Sequence, residues 1–317
     1  MLAHRTLADA LRARPLLFEP VPPALRASPS RAVRYTEQLL GLIRPISRLD
    51  ALIVPELVDE NHEGRPFYRS GDAREFARAV SAAAHREVVV NKVVAHLSDA
   101  EAVETWTRET LERTIRHVVL VGGSSRYIPY PGPPVIEANR RCAPLLTPQG
   151  GLLGNISIPQ RTGEAHRMLA KTKAGASFFT TQIVFDSEPV IKLLREYERR
   201  CREAETAPAA VLFSFAPLTE DTDSEFVRWL GADIPERVER SILDGEEAEA
   251  GQRSVANARR VWEEVTGAYP PTARSVPIGV NVEQISQRHL SAAVDMLSAF
   301  AGVIDLGRPA TGAGPAP

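Results

Sequence analysis

The sequence predicts a closed (β/α)8 barrel, and three observations carry that expectation. Eight apolar or β-branched runs recur along the chain, nearly all followed by a helical pattern. Regular alternation of this kind builds a parallel sheet with helices packed on it. The segment KTKAGASFFTTQIVFD, from Lys171 to Asp186, shows the repeat joint directly: a helical stretch stops at Gly175 and runs into an apolar strand. The chain is also long enough, at 317 residues with a hydrophobic share of 44% and a charged share of 25%, to bury one large core. A doubly wound open sheet is the alternative. It is disfavoured because no GxGxxG fingerprint follows an early strand.

Taken in order, MLAHRTLADALRARP has no long apolar stretch, so neither a secretory signal nor a membrane span is expected there. A short amphipathic helix covering one end of the domain fits it. Strands are expected near 16–20, 51–57, 87–95, 117–121, 152–158, 177–185, 210–216 and 275–282. The helices between them are expected over 31–42, 73–85, 100–115, 135–145, 164–173 and 188–205. After the seventh strand come 224–230, 235–243 and 246–266, and after the eighth 286–304. Residues 1–306 therefore read as a single barrel domain. Residues 307–317, rich in Pro, Gly and Ala, read as a disordered tail.

A net charge of -2 leaves no electrostatic footprint for nucleic acid or an anionic membrane. The two cysteines, Cys142 and Cys201, have no CxxC neighbour or metal-ligand spacing, which points to reduced thiols and a cytoplasmic setting. His62 and His96 have no ligand-spaced partner, so no metal site is expected. Homo-oligomerisation is left open.

In a barrel of this class the chemistry sits where strands end and loops begin, and the polar residues there include Glu19, Glu56, Glu60, His96, Gln182, Asp186, Asn281 and Glu283. Glu19, in LLFEPVPP, lies at an apolar strand end among prolines. A carboxyl group desolvated there would hold its proton to higher pH and serve as a general acid. An acid that escapes to solvent or pairs with an arginine is the competing reading. Gln182 offers donor and acceptor atoms suited to the edge of a heteroaromatic ring; an amide satisfied by neighbouring backbone fits the pattern equally. Asp186 reads as the N-cap of the following helix. The acids Glu56, Asp59, Glu60 and Glu63 read as a solvated loop or a cation site. Gly122-Gly123-Ser124-Ser125-Arg126 reads as a tight βα turn before it reads as a phosphate cradle. Lys171 fits helix-dipole complementation as well as a phosphate contact.

With those residues on the page, the chain resembles the methylenetetrahydrofolate reductase family. The resemblance rests on Phe18-Glu19-Pro20 with Pro22-Pro23, His96-Leu97-Ser98, Lys171 with Ala174-Gly175-Ala176, and Thr181-Gln182 with Phe185-Asp186; Phe213–Leu218 and Ile234-Pro235 match more weakly. It implies a barrel enzyme that reduces 5,10-methylenetetrahydrofolate to 5-methyltetrahydrofolate with NAD(P)H, a step that supplies methionine biosynthesis. By motif, Glu19 would be the general acid and Gln182 a folate contact. His96 and Lys171 would lie where the family binds FAD. The family's Arg-Gly-Asp after the fourth strand is replaced here by Gly122-Gly123-Ser124. Direct hydride transfer from the nicotinamide is therefore preferred over transfer through FAD, with Glu60 as a second catalytic acid. A barrel that binds a pterin or flavin without catalysis, and a reductase for a different reduced pterin, are the alternatives.

Overall fold

In the computed structural model, residues 5–60, 66–69, 71–125, 127–270 and 275–306 are described. The side chains of 59, 60, 66–69, 247, 305 and 306 lie outside that description, as does the tail expected over 307–317.

Eight parallel strands close on one another. They are β1 (Leu16–Glu19), β2 (Ala51–Val54), β5 (Glu87–Val93), β6 (His117–Val121), β7 (Leu153–Ser157), β8 (Phe178–Ile183), β9 (Ala210–Phe215) and β10 (Ile278–Glu283). Around the barrel the order is β1-β10-β9-β8-β7-β6-β5-β2, so β1 pairs with both β10 and β2. This is the predicted (β/α)8 architecture. Each expected strand is present, and the fourth has the expected bounds.

The addition is an antiparallel hairpin, β3 (Val58–Glu60) with β4 (Pro66–Arg69), between β2 and the helix Ala73–Ala84. Its acids had suggested a loop, because the run is too short and charged to show a strand period. Beyond the eighth strand, a 3-10 turn (Gln287–His289) precedes the helix Leu290–Leu306.

The two faces of the strands fill different spaces. Leu17, Ala51, Ile53, Val89, Val119, Phe178, Ala210 and Leu212 form one buried cluster inside the barrel. Leu16, Phe18, Leu52, Val54, Val90, Phe213 and Val280 point the other way, into the larger cluster beneath the helices, which holds Trp262 and Phe300. Strand alternation places odd and even residues on opposite faces, so this parity decides which polar groups look inward.

The short helix Leu7–Leu11 joins the inner cluster through Leu7 and Leu11. It is held near the starts of β1 and β5: Arg5 pairs with Asp50 (2.7 Å), Asp50 accepts from the Leu16 N–H (2.8 Å), and Glu87 accepts from the Leu7 N–H (2.5 Å). It therefore closes the N-terminal end, as the sequence suggested. The open end is the opposite one, where the strands finish.

At the joint before β8, the helix Glu164–Lys173 stops at Gly175, whose φ of 109° is open to glycine and strained for other residues. No helix among the described residues is long and apolar enough to cross a membrane.

Candidate functional site

Inward parity at the open end gathers a polar floor. Glu19 follows Leu17 on β1, Asn91 follows Val89 on β5, Ser214 follows Leu212 on β9, and Asn281 and Glu283 follow Gly279 on β10. Glu19 and Glu283 are direct register partners on neighbouring strands. Glu19 accepts from Asn281 Nδ2 at its Oε2 (2.9 Å) and from Asn91 Nδ2 at its Oε1 (3.2 Å). The same Asn281 nitrogen reaches Ser214 Oγ (3.2 Å) and Glu283 Oε1 (3.4 Å).

Glu19 and Glu283 each keep part of their surface open to the mouth, yet both carboxyls are packed deeply enough in protein to lose most of their hydration. Loss of hydration disfavours the charged form. Glu19 is therefore held well above the usual carboxylate range, first by desolvation and then by the charge of Glu283. The amide donors of Asn281 and Asn91 act in the opposite direction. Glu283 is raised for the same leading reason, against hydrogen bonds from Ser214 and Asn281. Two adjacent carboxyls of this kind titrate as a unit.

The side-chain oxygens of Asn91 and Asn281 are buried and have no hydrogen-bond partner among the described residues. Asn281 is fully buried and Asn91 is 8% exposed. A buried acceptor left unsatisfied costs about 1–3 kcal/mol. The floor is thus rich in acceptors and poor in donors.

The other expected residues have partners of their own, or side chains outside the described residues. Gln182 sits on a bulge where the β8–β9 register breaks between Thr180 and Ile183. Its Nε2 donates to the Leu230 carbonyl (2.9 Å) and its Oε1 accepts from the Ile183 N–H (2.9 Å). The amide replaces pairing lost at the bulge and ties β8 to the end of the helix Asp221–Trp229. Lys171 donates from Nζ to the Ile156 carbonyl (2.7 Å), within the layer between its helix and β7. Burial pulls it down to about 8, with the charge of Glu164 opposing. His96, after β5, packs edge-on against Tyr130, with ring centroids 5.5 Å apart. Glu60 lies on the backbone of β3, and its side chain falls outside the described residues, as do His62, Glu63 and Arg126.

Glu56, grouped above with the loop acids, pairs with Lys92 Nζ (2.6 Å) and accepts from the Val93 N–H (2.7 Å). Gly122–Ser125 is not the tight βα turn expected: the strand ends at Val121 and the next helix begins only at Val135, and the Ser124 N–H donates to the Tyr130 hydroxyl (3.0 Å). Asp186 caps the helix Ser187–Glu203 as expected.

One trio of metal-capable groups does form among the described residues: Glu220, Asp223 and His289, within 4.8 Å of one another. Asp223 Oδ2 already accepts from Thr219 and Glu220, and the two acids form the capping box of the helix Asp221–Trp229. Helix capping accounts for both carboxylates.

No family model and no curated protein matches the chain. Among solved structures, an uncharacterised protein from Clostridium thermocellum, described as binding two copies of 5-methyl-5,6,7,8-tetrahydrofolic acid, matches with a TM-score of 0.74. The identity is 16%, over 94% of this chain and 99% of that one. A structure provisionally assigned as a deoxyribose-phosphate aldolase from Toxoplasma gondii ME49 matches with a TM-score of 0.47 at 10% identity, over 96% of each chain. The first of these likenesses supports the barrel fold.

Proposed function

We propose that the open end of this barrel binds a reduced folate and that Glu19 protonates it, in the reduction of 5,10-methylenetetrahydrofolate to 5-methyltetrahydrofolate by NAD(P)H. The observation that carries this reading is the desolvated Glu19 carboxyl on a floor with two orphaned amide oxygens. A carboxyl that keeps its proton towards neutral pH is what a general acid needs. Orphaned acceptors call for N–H donors, which a reduced pterin carries along its ring edge. The folate described in the Clostridium thermocellum barrel supports the choice of ligand.

In this reading the Glu19 proton goes to N10 of the bridged folate. The C–N bond of the five-membered ring breaks, its electron pair stays on N10, and the methylene carbon becomes part of an N5 iminium ion. A nicotinamide bound at the mouth would supply the hydride that this carbon takes up, which leaves the N5-methyl product. Asn91 and Asn281 orient the Glu19 carboxyl through their Nδ2 groups. Lys171 and His96, the residues that the resemblance offers for FAD, are engaged with the Ile156 carbonyl and the Tyr130 ring. The preference for direct transfer from the nicotinamide rests instead on Gly122-Gly123-Ser124, which stands where the family carries Arg-Gly-Asp.

The test is oxidation of NADH or NADPH, followed by near-ultraviolet absorbance, in the presence of 5,10-methylenetetrahydrofolate. Glu19→Gln should lose about 10²–10⁴-fold in turnover while retaining 5-methyltetrahydrofolate in equilibrium dialysis. Binding without turnover in the unmodified protein would favour the non-catalytic pterin-binding barrel. Flavin absorbance in the purified protein would move the reaction to FAD.

A further inference from the structure

We propose that Glu19 and Glu283 work as one proton-holding unit, in which Glu283 is the positioning carboxyl that keeps a proton available to Glu19. The assignment deepens the reading of Glu19 as proton donor and rests on it.

The geometry comes first. The two residues end adjacent strands in direct register, β1 and β10, and both look into the same mouth. A single nitrogen, Asn281 Nδ2, lies within 3.4 Å of both carboxyls. That nitrogen carries two protons and faces three acceptors: Glu19 Oε2, Ser214 Oγ and Glu283 Oε1. Its own partner atom, Asn281 Oδ1, has none, and neither has Asn91 Oδ1. Across the floor, acceptors outnumber protons.

Turning the Asn281 amide over would not repair the shortage, because it would aim an oxygen at Glu19 and remove a donor from it. A proton shared by the two carboxyls supplies the missing donor. With one proton between them the pair carries a single negative charge, which the Asn281 and Asn91 amides can serve. With none, two anions would divide the protons of Asn281, Asn91 and Ser214 between them.

The surroundings leave few competitors for this role. Glu19 faces Asn91 from β5 and Asn281 and Glu283 from β10, and Ser214 from β9 completes the ring. Glu283 is the one charge acting on Glu19 among the described residues. In the proposed reaction, transfer of the Glu19 proton to a ring nitrogen leaves two ionised carboxyls side by side. Their repulsion draws one proton back from solvent, which restores the pair for the next turnover.

The test is a carboxyl titration that needs no turnover. The full-length protein, labelled with 13C at its glutamate carboxyl carbons, is followed by NMR from acid to alkaline pH, with Glu19 and Glu283 assigned from Glu19→Gln and Glu283→Gln. In the unmodified protein the pair should show two steps, the upper displaced well above the ordinary carboxyl range. In Glu283→Gln, Glu19 should titrate once, with its proton affinity lowered at least tenfold from the upper step. Coupling is reciprocal, so the proton affinity of Glu283 should also fall from the upper step in Glu19→Gln. An unchanged Glu19 midpoint in Glu283→Gln overturns the proposal, and so does a change in one variant without its reciprocal. Coupled titration in a protein that turns over no folate would instead retain the pair and remove the proposed reaction.

Discussion

Glu19→Gln should make the folded chain more stable at neutral and alkaline pH while removing its chemistry. The side chain keeps its length and loses its ionisable group. In the folded state burial and the Glu283 charge hold the Glu19 carboxyl above its ordinary range, whereas in the unfolded chain it titrates normally. The folded state therefore binds the extra proton. Stability falls as pH rises through the unfolded value, about 4.3, and the loss is complete once the pH passes the folded value. Each tenfold difference in proton affinity between the two states is worth about 1.4 kcal/mol.

Because the carboxyl is open to the mouth on one side, a gain of about 1–3 kcal/mol is expected for the variant near pH 8, and close to none near pH 4. Thermal and urea unfolding of both proteins across this range give the difference curve directly. A variant that is less stable at pH 8, or a difference that does not grow between pH 4 and pH 8, would refute the picture of a desolvated acid.

Other sites give independent checks on the scaffold. Asp50→Ala should cost about 3–5 kcal/mol in urea unfolding, because Asp50 pairs with both Arg5 and Arg48, and Arg48, only 8% exposed, would lose that carboxylate. Gly154→Ala should cost about 1–3 kcal/mol by the same measurement, since a Cβ there meets the Phe178 ring inside the barrel at 2.4 Å. Lys171→Met addresses a buried amine whose folded proton affinity is depressed to about 8. Unfolding scans should show the variant gaining on the unmodified protein below that value and losing the advantage as pH rises to the unfolded lysine range, about 10.

Much of the fold was legible because its signals are local. Strand and helix periods need only a window of residues, and the Gly175 stop and the Asp186 cap act within a turn of their helices. The hairpin β3–β4 was not legible, since its strands are short and its pairing joins residues across a charged connection. Glu19 was legible as a desolvated acid from the apolar run and prolines around it. Gln182 stood out for the same kind of reason, an amide in an apolar strand. In the structure that amide sits at the β8 bulge and donates to the Leu230 carbonyl, and a bulge depends on register with β9, which no single strand reveals.

Asn91, Ser214 and Asn281 show where local reading stops. Each lies inside an apolar run, VVVNKVV, VLFSFAP and VPIGVNVEQ, and that signal was available at all three positions. What the runs do not show is which parity faces the barrel interior. Strands in a parallel barrel are apolar on both faces, one towards the interior and one towards the helices, so alternation is muted. An asparagine on the outer face packs beneath helices: Asn155 does so, hydrogen-bonded to Asn139 (2.7 Å). An asparagine on the inner face near a strand end becomes part of the floor. Closure of the barrel makes the distinction. Closure also sets Glu283, on the last strand, beside Glu19, on the first. No local window of sequence contains both carboxyls, so neither run alone could reveal that they meet.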